Sequence, residues 1–144
     1  MSEAPALPRV LHGVDLVSVP ELQAAMERTE TFEARVFTEN ERAYCRRHAN
    51  PYVHFGGRFA AKEAALKALG VGLAGIGLHT GLHDVEVLLG EGPPRLRLSG
   101  KAAAIAADLG VGSTSLSITH TRDNAVASVV MLAAPAAQCD EKGS

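Results

Sequence analysis

The sequence has few cysteines, little net charge and no long hydrophobic run, and each of these absences excludes a class of protein. Its 2 cysteines, Cys45 and Cys139, are far apart and form no CxxC pair or Cys/His cluster. They indicate reduced thiols of a cytosolic protein rather than a disulfide framework or a zinc site. The 14 basic and 16 acidic residues give a formal net charge of -2, so no overall attraction to nucleic acid is expected.

No segment of the chain is long and apolar enough to span a bilayer, so we expect no membrane partner. The first residues are acidic and proline-bearing rather than basic and then apolar, which predicts no secretory signal and a cytoplasmic location. A length of 144 residues with 47% hydrophobic content suits one domain that buries a real core. We expect a flexible N-terminus at 1–9, a single domain at 10–133 and a flexible C-terminal tail at 134–144.

Apolar periodicity and capping signals predict an α+β fold. Thr38 and Glu41 form a capping-box pattern that opens a helix, and Gly70 is a favoured residue just after a long helix. The glycines between 72 and 81 predict a flexible loop. Strands are predicted at 10–19, 84–89, 95–98, 115–120 and 125–132, and helices at 21–27, 38–48, 51–69 and 101–109. This order favours a mainly antiparallel sheet packed with one long and several short helices.

Asp15 is a carboxylate inside an otherwise apolar strand, between Val14 and Leu16. A buried charge is costly unless it is paired, hydrogen-bonded or bound to a metal. Asp15 therefore either caps the following helix and accepts backbone hydrogen bonds, or belongs to a functional site.

Glu63 also lies among apolar residues, because it follows Phe59 by four residues and precedes Leu66 by three on one face of the long helix. Lys67 follows Glu63 by four, so a weakly stabilising intrahelical ion pair is one explanation of both residues. The other is a site for a hard cation, since Mg²⁺ prefers one or two carboxylates together with waters and phosphate oxygens.

Basic side chains and a histidine accompany these acids. Arg58, Lys62 and Lys67 recur along the same helix and could neutralise phosphates. His120 ends a predicted strand beside Thr121, where it either is structural or binds an anion or orients a ligand. Residue types and spacing alone thus predict a metal-assisted phosphate site.

Three segments resemble the signature segments of the holo-acyl-carrier-protein synthase family of 4'-phosphopantetheinyl transferases. They are GVDLV at 13–17, RFAAKEAALKALG at 58–70 and SITHT at 117–121. Further segments at 35–41, 84–87 and 92–98 match in the same order, so that the resemblance covers about residues 10–132.

The resemblance implies a Mg²⁺-dependent transfer of 4'-phosphopantetheine from coenzyme A to a serine of an apo acyl carrier protein, with release of 3',5'-ADP. The proton of that serine would pass to Glu63 or to a metal-bound water. The implied metal ligands are Asp15 and Glu63, which act in catalysis together with His120. The residues implied to surround the nucleotide and phosphates are Arg58, Lys62, Lys67, His120 and Thr121.

Small members of this family are trimers with active sites between subunits, in which a neighbour supplies the segment containing His120, and we expect the same here. Family members commonly carry basic residues on the first helix to dock the carrier, whereas this helix begins with Glu21 and offers mainly Arg28. A polyketide-type carrier is therefore as compatible as the fatty-acid type. The alternatives are a module that binds coenzyme A or a carrier without transfer, and a purely structural protein, which would leave two carboxylates in apolar settings unexplained.

Overall fold

A three-stranded antiparallel sheet forms one side of the molecule, with the strand order β1-β5-β4. The computed structural model describes residues 4–71 and 78–136. The strands of this sheet are β1 (Arg9–Ser18), β4 (Val111–His120) and β5 (Asn124–Ala133). A separate antiparallel hairpin pairs β2 (Val85–Leu88) with β3 (Arg95–Leu98). The predicted α+β class and mainly antiparallel pairing are confirmed.

Among the described residues, the central helix is α4 (Pro51–Ala68), and five shorter helices accompany it. The Thr38 side chain caps α3 (Glu39–Arg46), and the Glu41 carboxylate accepts a hydrogen bond from the Thr38 backbone N–H, so the predicted capping box is present. Pro51 opens α4 because the first helical turn needs no backbone N–H from it. The helices are α1 (Val19–Arg28), α2 (Phe32–Val36), α3 (Glu39–Arg46), α4 (Pro51–Ala68), α5 (Leu78–His83) and α6 (Gly100–Leu109).

Helix α4 lies against the inner face of the three-stranded sheet, and the hydrophobic core surrounds it. Small residues make the helix–sheet contact: Ala60, Ala61 and Ala64 are fully buried. Gly13 of β1 takes part from the strand side. A Cβ at Gly13 would overlap the carbonyl oxygen of Ala64 and come within 2.8 Å of the Ala68 nitrogen, so only glycine permits this approach.

Two details of the fold differ from the sequence-based expectations. The predicted flexible loop extended to residue 81, but α5 occupies Leu78–His83, because the nearly fully buried Leu82 anchors it to the core. The rest of that loop, at 72–77, lies outside the described residues, as do 1–3 and 137–144 of the predicted flexible ends. The short helix α2 was not predicted. In the part of the chain that the structure describes, no helix has both the length and the apolarity needed to cross a membrane.

Candidate active site

Two predicted carboxylates lie side by side where β1 crosses α4. Asp15 is on the inner face of β1, two residues beyond Gly13, and its side chain is 10% exposed. Glu63 is half-buried on α4 and lies within hydrogen-bonding reach of the Asp15 carboxyl group. The close approach of strand and helix at Gly13 therefore brings together two acids that are 48 residues apart.

Lys67 belongs to the same cluster. Its ammonium group donates to Asp15 Oδ1 at 3.0 Å and to the carbonyl oxygen of Val14 at 3.1 Å. The intrahelical pair with Glu63 considered from the spacing is thus replaced by an ion pair with the strand, because β1 lies directly over the last turn of α4. Since the Lys67 side chain is 56% exposed, this pair adds little stability.

The electrostatics of the pair favour a nearby positive charge. Burial, the hydrogen bond with Asp15 and the negative charge of Asp15 together raise the pKa of Glu63 to about 7, while Lys67 opposes the shift. Asp15 Oδ2 is buried and has no hydrogen-bond partner among the described residues. A buried carboxylate oxygen without a donor and a second carboxylate beside it fit a divalent cation with oxygen ligands.

Lys62 occupies a different environment from its neighbours on α4. Its side chain is completely buried and forms an ion pair of 2.6 Å with Glu41. The carbonyl oxygens of Leu82 and Val85 accept its remaining hydrogen bonds at 3.2 and 2.5 Å. An ammonium group has three N–H donors, so in this structure Lys62 has none left for a phosphate.

Arg58 lies beside a cavity of about 450 Å³ between α3, α4 and β2. Its guanidinium carbon is 4.2 Å from the centre of the Tyr44 ring, and its buried Nε has no hydrogen-bond partner in the described structure. Arg47 and Val87 also line the cavity. A cavity of this size with two guanidinium groups and an aromatic ring can bind an anionic, planar ligand.

His120 lies at the exposed end of β4, and its ring centre is 6.1 Å from that of His54. His54 in turn stacks on His48 at 3.8 Å. Burial lowers the pKa of His54, and the nearby His48, Arg58 and His120 lower it further, so this group is kept neutral beside the basic cluster. Thr121 lies in the β4–β5 turn, where its hydroxyl accepts a hydrogen bond from the Asn124 backbone at 3.2 Å.

Within one chain the predicted site residues therefore form two groups. The carboxylate group consists of Asp15, Glu63 and Lys67, and the basic group of Arg58 and His120 around His54. Glu63 follows His54 by nine residues, so it lies about 13.5 Å further along the helix axis than His54. His120 packs near His54, and among the described residues no hydrogen bond or ion pair joins His120 to Asp15 or Glu63.

The comparisons with known proteins identify the superfamily of the chain. The model of the 4'-phosphopantetheinyl transferase superfamily matches residues 12–130. The chain belongs to this superfamily.

Individual relatives point to one family within it. A holo-[acyl-carrier-protein] synthase of Chloroflexus aggregans is 46% identical over 129 residues, with 83% of this chain and 92% of the relative covered. One of Caldanaerobacter subterraneus is 40% identical over 115 residues, covering 79% of this chain and 87% of the relative. The solved complex of the Chronobacterium ammoniagenes synthase with CoA has a TM-score of 0.75 and 30% identity, covering 87% and 98% of the two chains. The predicted holo-acyl-carrier-protein synthase family is confirmed.

Several residues beside Arg58 and His120 were not found from the sequence. Tyr44, Arg47 and His48 come from α3 and the turn after it, and His54 from the first turn of α4. One signal was available, because His54 precedes Arg58 by four residues and so shares its face of the helix. The contribution of α3 was not visible, since it depends on how α3 packs across α4.

Proposed function

We propose that this chain is a holo-[acyl-carrier-protein] synthase, which transfers 4'-phosphopantetheine from coenzyme A to a serine of an apo acyl carrier protein. The observation that carries the proposal is the pair Asp15–Glu63, with its donor-free carboxylate oxygen, on a chain of this family. The CoA complex of the Chronobacterium ammoniagenes relative supports coenzyme A as the donor.

Asp15 and Glu63 would hold the magnesium ion. Asp15 Oδ2 has no donor among the described residues, and burial together with Asp15 raises the pKa of Glu63 to about 7, so a cation beside the two carboxylates would be favoured. Bound there, Mg²⁺ would neutralise the pyrophosphate and stabilise the leaving 3',5'-ADP. Lys67 already holds Asp15 in place, and its exposed ammonium group is available to a phosphate oxygen.

The cavity beside Arg58 would receive the nucleotide part of coenzyme A. Arg58 and Arg47 supply positive charge to phosphate, and the Tyr44 ring supplies a flat apolar surface. His120 and Thr121, at the end of β4, would close the same site from a neighbouring chain. Lys62 was also expected at the phosphates, but its three N–H groups are occupied by Glu41, Leu82 and Val85, which argues for a different role.

The reaction is a phosphoryl transfer in which the protein mainly positions the reactants and stabilises charge. The serine Oγ of the carrier forms a bond to the β-phosphorus of coenzyme A, and the bond from that phosphorus to the bridging oxygen of 3',5'-ADP breaks. The serine proton goes to Glu63 or to a water at the site, and the oxygen of the leaving 3',5'-ADP takes the charge.

A homotrimer with sites between subunits would unite the two groups of residues. The outer face of the three-stranded sheet is apolar and exposed: Val10, Val14 and Leu16 of β1 are 66%, 51% and 65% exposed. Leu132 of β5 lies opposite Val10 and continues this surface. We therefore propose that two further copies of the chain cover this face, and that each copy lends its His120 end to the carboxylate pair of another.

The carrier and the location remain predictions of the sequence. Helix α1 has Glu21 in its first turn and Arg28 in its last, so it presents no basic row that would select a strongly acidic carrier. Both fatty-acid and polyketide carriers therefore belong in the assay. The sequence predicts a cytoplasmic location, where the protein would meet coenzyme A and the carriers.

Mass spectrometry of an apo acyl carrier protein, incubated with this protein, coenzyme A and Mg²⁺, tests the proposal. A mass gain of one phosphopantetheine is expected, and EDTA should abolish it. Glu63→Gln should slow the transfer at least about 10-fold, since it removes a metal ligand. The matched control Glu30→Gln changes an exposed glutamate and should transfer at the wild-type rate. If fatty-acid, polyketide and peptide carriers all show no mass gain, the remaining interpretation is a module that binds coenzyme A without transfer.

A further inference from the structure

A buried ion pair lies behind the cavity beside Arg58. The side chains of Lys62 and Glu41 are both 0% exposed, and 2.6 Å separates Nζ from Oε1. Such a pair is tolerated in a core only when the remaining donors and acceptors are satisfied. Here Lys62 meets this condition by donating to the carbonyl oxygens of Leu82 and Val85.

Glu41 connects three elements through one carboxylate. Its Oε1 accepts from the backbone N–H of Thr38 at 2.9 Å, which caps α3, and from Lys62 of α4. Its Oε2 accepts from the backbone N–H of Val87 at 3.1 Å, which belongs to β2. The loss of this carboxylate would therefore release α3, α4 and β2 from one another at the same point.

The same three elements form the walls of the cavity. Glu41 itself lines it, together with Tyr44 of α3, Arg58 of α4 and Val87 of β2. Lys62 follows Arg58 by four residues, so it is the next residue on the same face of α4. The hydrogen bonds of the ion pair thus set the distances between the groups that face the cavity.

We propose that Lys62 and Glu41 are positioning residues. They fix the walls of the cavity for the nucleotide part of coenzyme A and do not themselves bind coenzyme A. The inference rests on the proposed function, because it takes coenzyme A as the occupant. Lys62 acts on the ligand only through Glu41 and β2, since its three N–H groups are used within the protein.

The test compares two single variants with a matched control. Lys62→Met and Glu41→Gln should each raise the Kd for coenzyme A, measured by calorimetry, by roughly 10- to 100-fold, as found when orienting groups are removed. Glutamine can still close the capping box through its amide oxygen, but its amide nitrogen cannot accept from the Val87 N–H, so Glu41→Gln removes the charge and the bond to β2 together. The control Glu86→Gln alters a buried carboxylate that pairs with the largely exposed Arg97 of β3 and makes no hydrogen bond to α3 or α4 among the described residues, so it should leave the Kd within about twofold.

Two further readouts distinguish positioning from a general loss of fold. In the transfer assay KM for coenzyme A should rise while kcat at saturation stays nearly unchanged. Hydrogen exchange of the Val87 amide should accelerate in both single variants and not in Glu86→Gln. If Lys62→Met fails to fold, the double variant Glu41→Gln/Lys62→Met removes both charges and leaves no unpaired one. Its affinity should equal that of Glu41→Gln alone, because the two residues act as a unit.

A weaker affinity in Lys62→Met with an unchanged affinity in Glu41→Gln would mean that Lys62 contacts coenzyme A directly, and would overturn the proposal. Unchanged affinity in both variants would overturn it as well. Failure of the proposed function has a different signature: the wild-type protein would bind coenzyme A without transferring, or would not bind it. In either case the exchange rate of the Val87 amide still reports whether the ion pair holds β2.

Discussion

Gly13 of β1 lies against Ala64 of α4 so closely that a Cβ at Gly13 would overlap the Ala64 carbonyl oxygen. Asp15 is two residues further along the same face of the strand, and Glu63 immediately precedes Ala64 in the helix. The contact that excludes any side chain at Gly13 is therefore also the contact that sets the spacing of the two carboxylates.

Gly13→Ala should lower stability and separate the acids, because β1 must move away from α4. Overpacking of this kind costs about 1–3 kcal/mol, measurable by urea unfolding. Transfer activity should fall by more than the loss of stability explains, since the spacing of the two carboxylates changes. Gly90→Ala is the control: a Cβ there meets nothing within 4 Å, and both quantities should stay at their wild-type values.

Glu63 should lower the stability of the metal-free protein as the pH rises from about 4.5 to about 7. The ordinary pKa of a glutamate is 4.5 and that of Glu63 in the folded protein is about 7, so within this interval the folded state keeps a proton that the unfolded state has lost. In urea unfolding with EDTA, Glu63→Gln should therefore have a higher free energy of unfolding than the wild type at pH 8, and this difference should disappear near pH 4. An equal difference at both pH values would contradict the raised pKa, and Glu30→Gln should show no difference at either.

Leu16→Asp should dissociate the trimer, because it places a charge on the apolar outer face of the sheet. Leu16 is 65% exposed in a single chain, so the monomer loses no core contact. Analytical ultracentrifugation should show trimer for the wild type and monomer for Leu16→Asp. Leu7→Asp introduces the same charge at a residue that is 82% exposed and precedes the sheet, and its trimer should persist. Persistence of the trimer in both variants would mean that the copies meet elsewhere.

Inactive variants from the two groups of site residues should complement each other. In a mixed trimer of Asp15→Asn and His120→Ala chains, a wild-type Asp15 can meet a wild-type His120 across an interface, so part of the activity should return. Asp15→Asn mixed with Glu63→Gln is the control, because both changes affect the same group and no intact pair of acids can form. Absence of recovery in the first mixture, with mixed trimers verified by mass spectrometry, would show that the site is built within one chain.

Local signals in the sequence were sufficient for most of the fold. The capping box of Thr38 and Glu41 and the strand signals at 84–89 and 95–98 depend on residues within a few positions of one another, and the structure has the capping box and both strands. Helix α5 was predicted as part of a loop because Gly81 disfavours a helix. The buried contacts of Leu82, which stabilise the helix, are made with elements distant in sequence.

For the site, the apolar setting of Asp15 and of Glu63 was visible in the sequence, because a charge among apolar neighbours in one strand or helix needs a partner. Which partner each charge takes was decided by the tertiary structure. Lys67 lies four residues from Glu63 but forms an ion pair with Asp15 of β1, and Lys62 forms one with Glu41 of α3. Spacing along a helix determines which side chains share a face, whereas the element that packs against that face determines which partner each side chain meets.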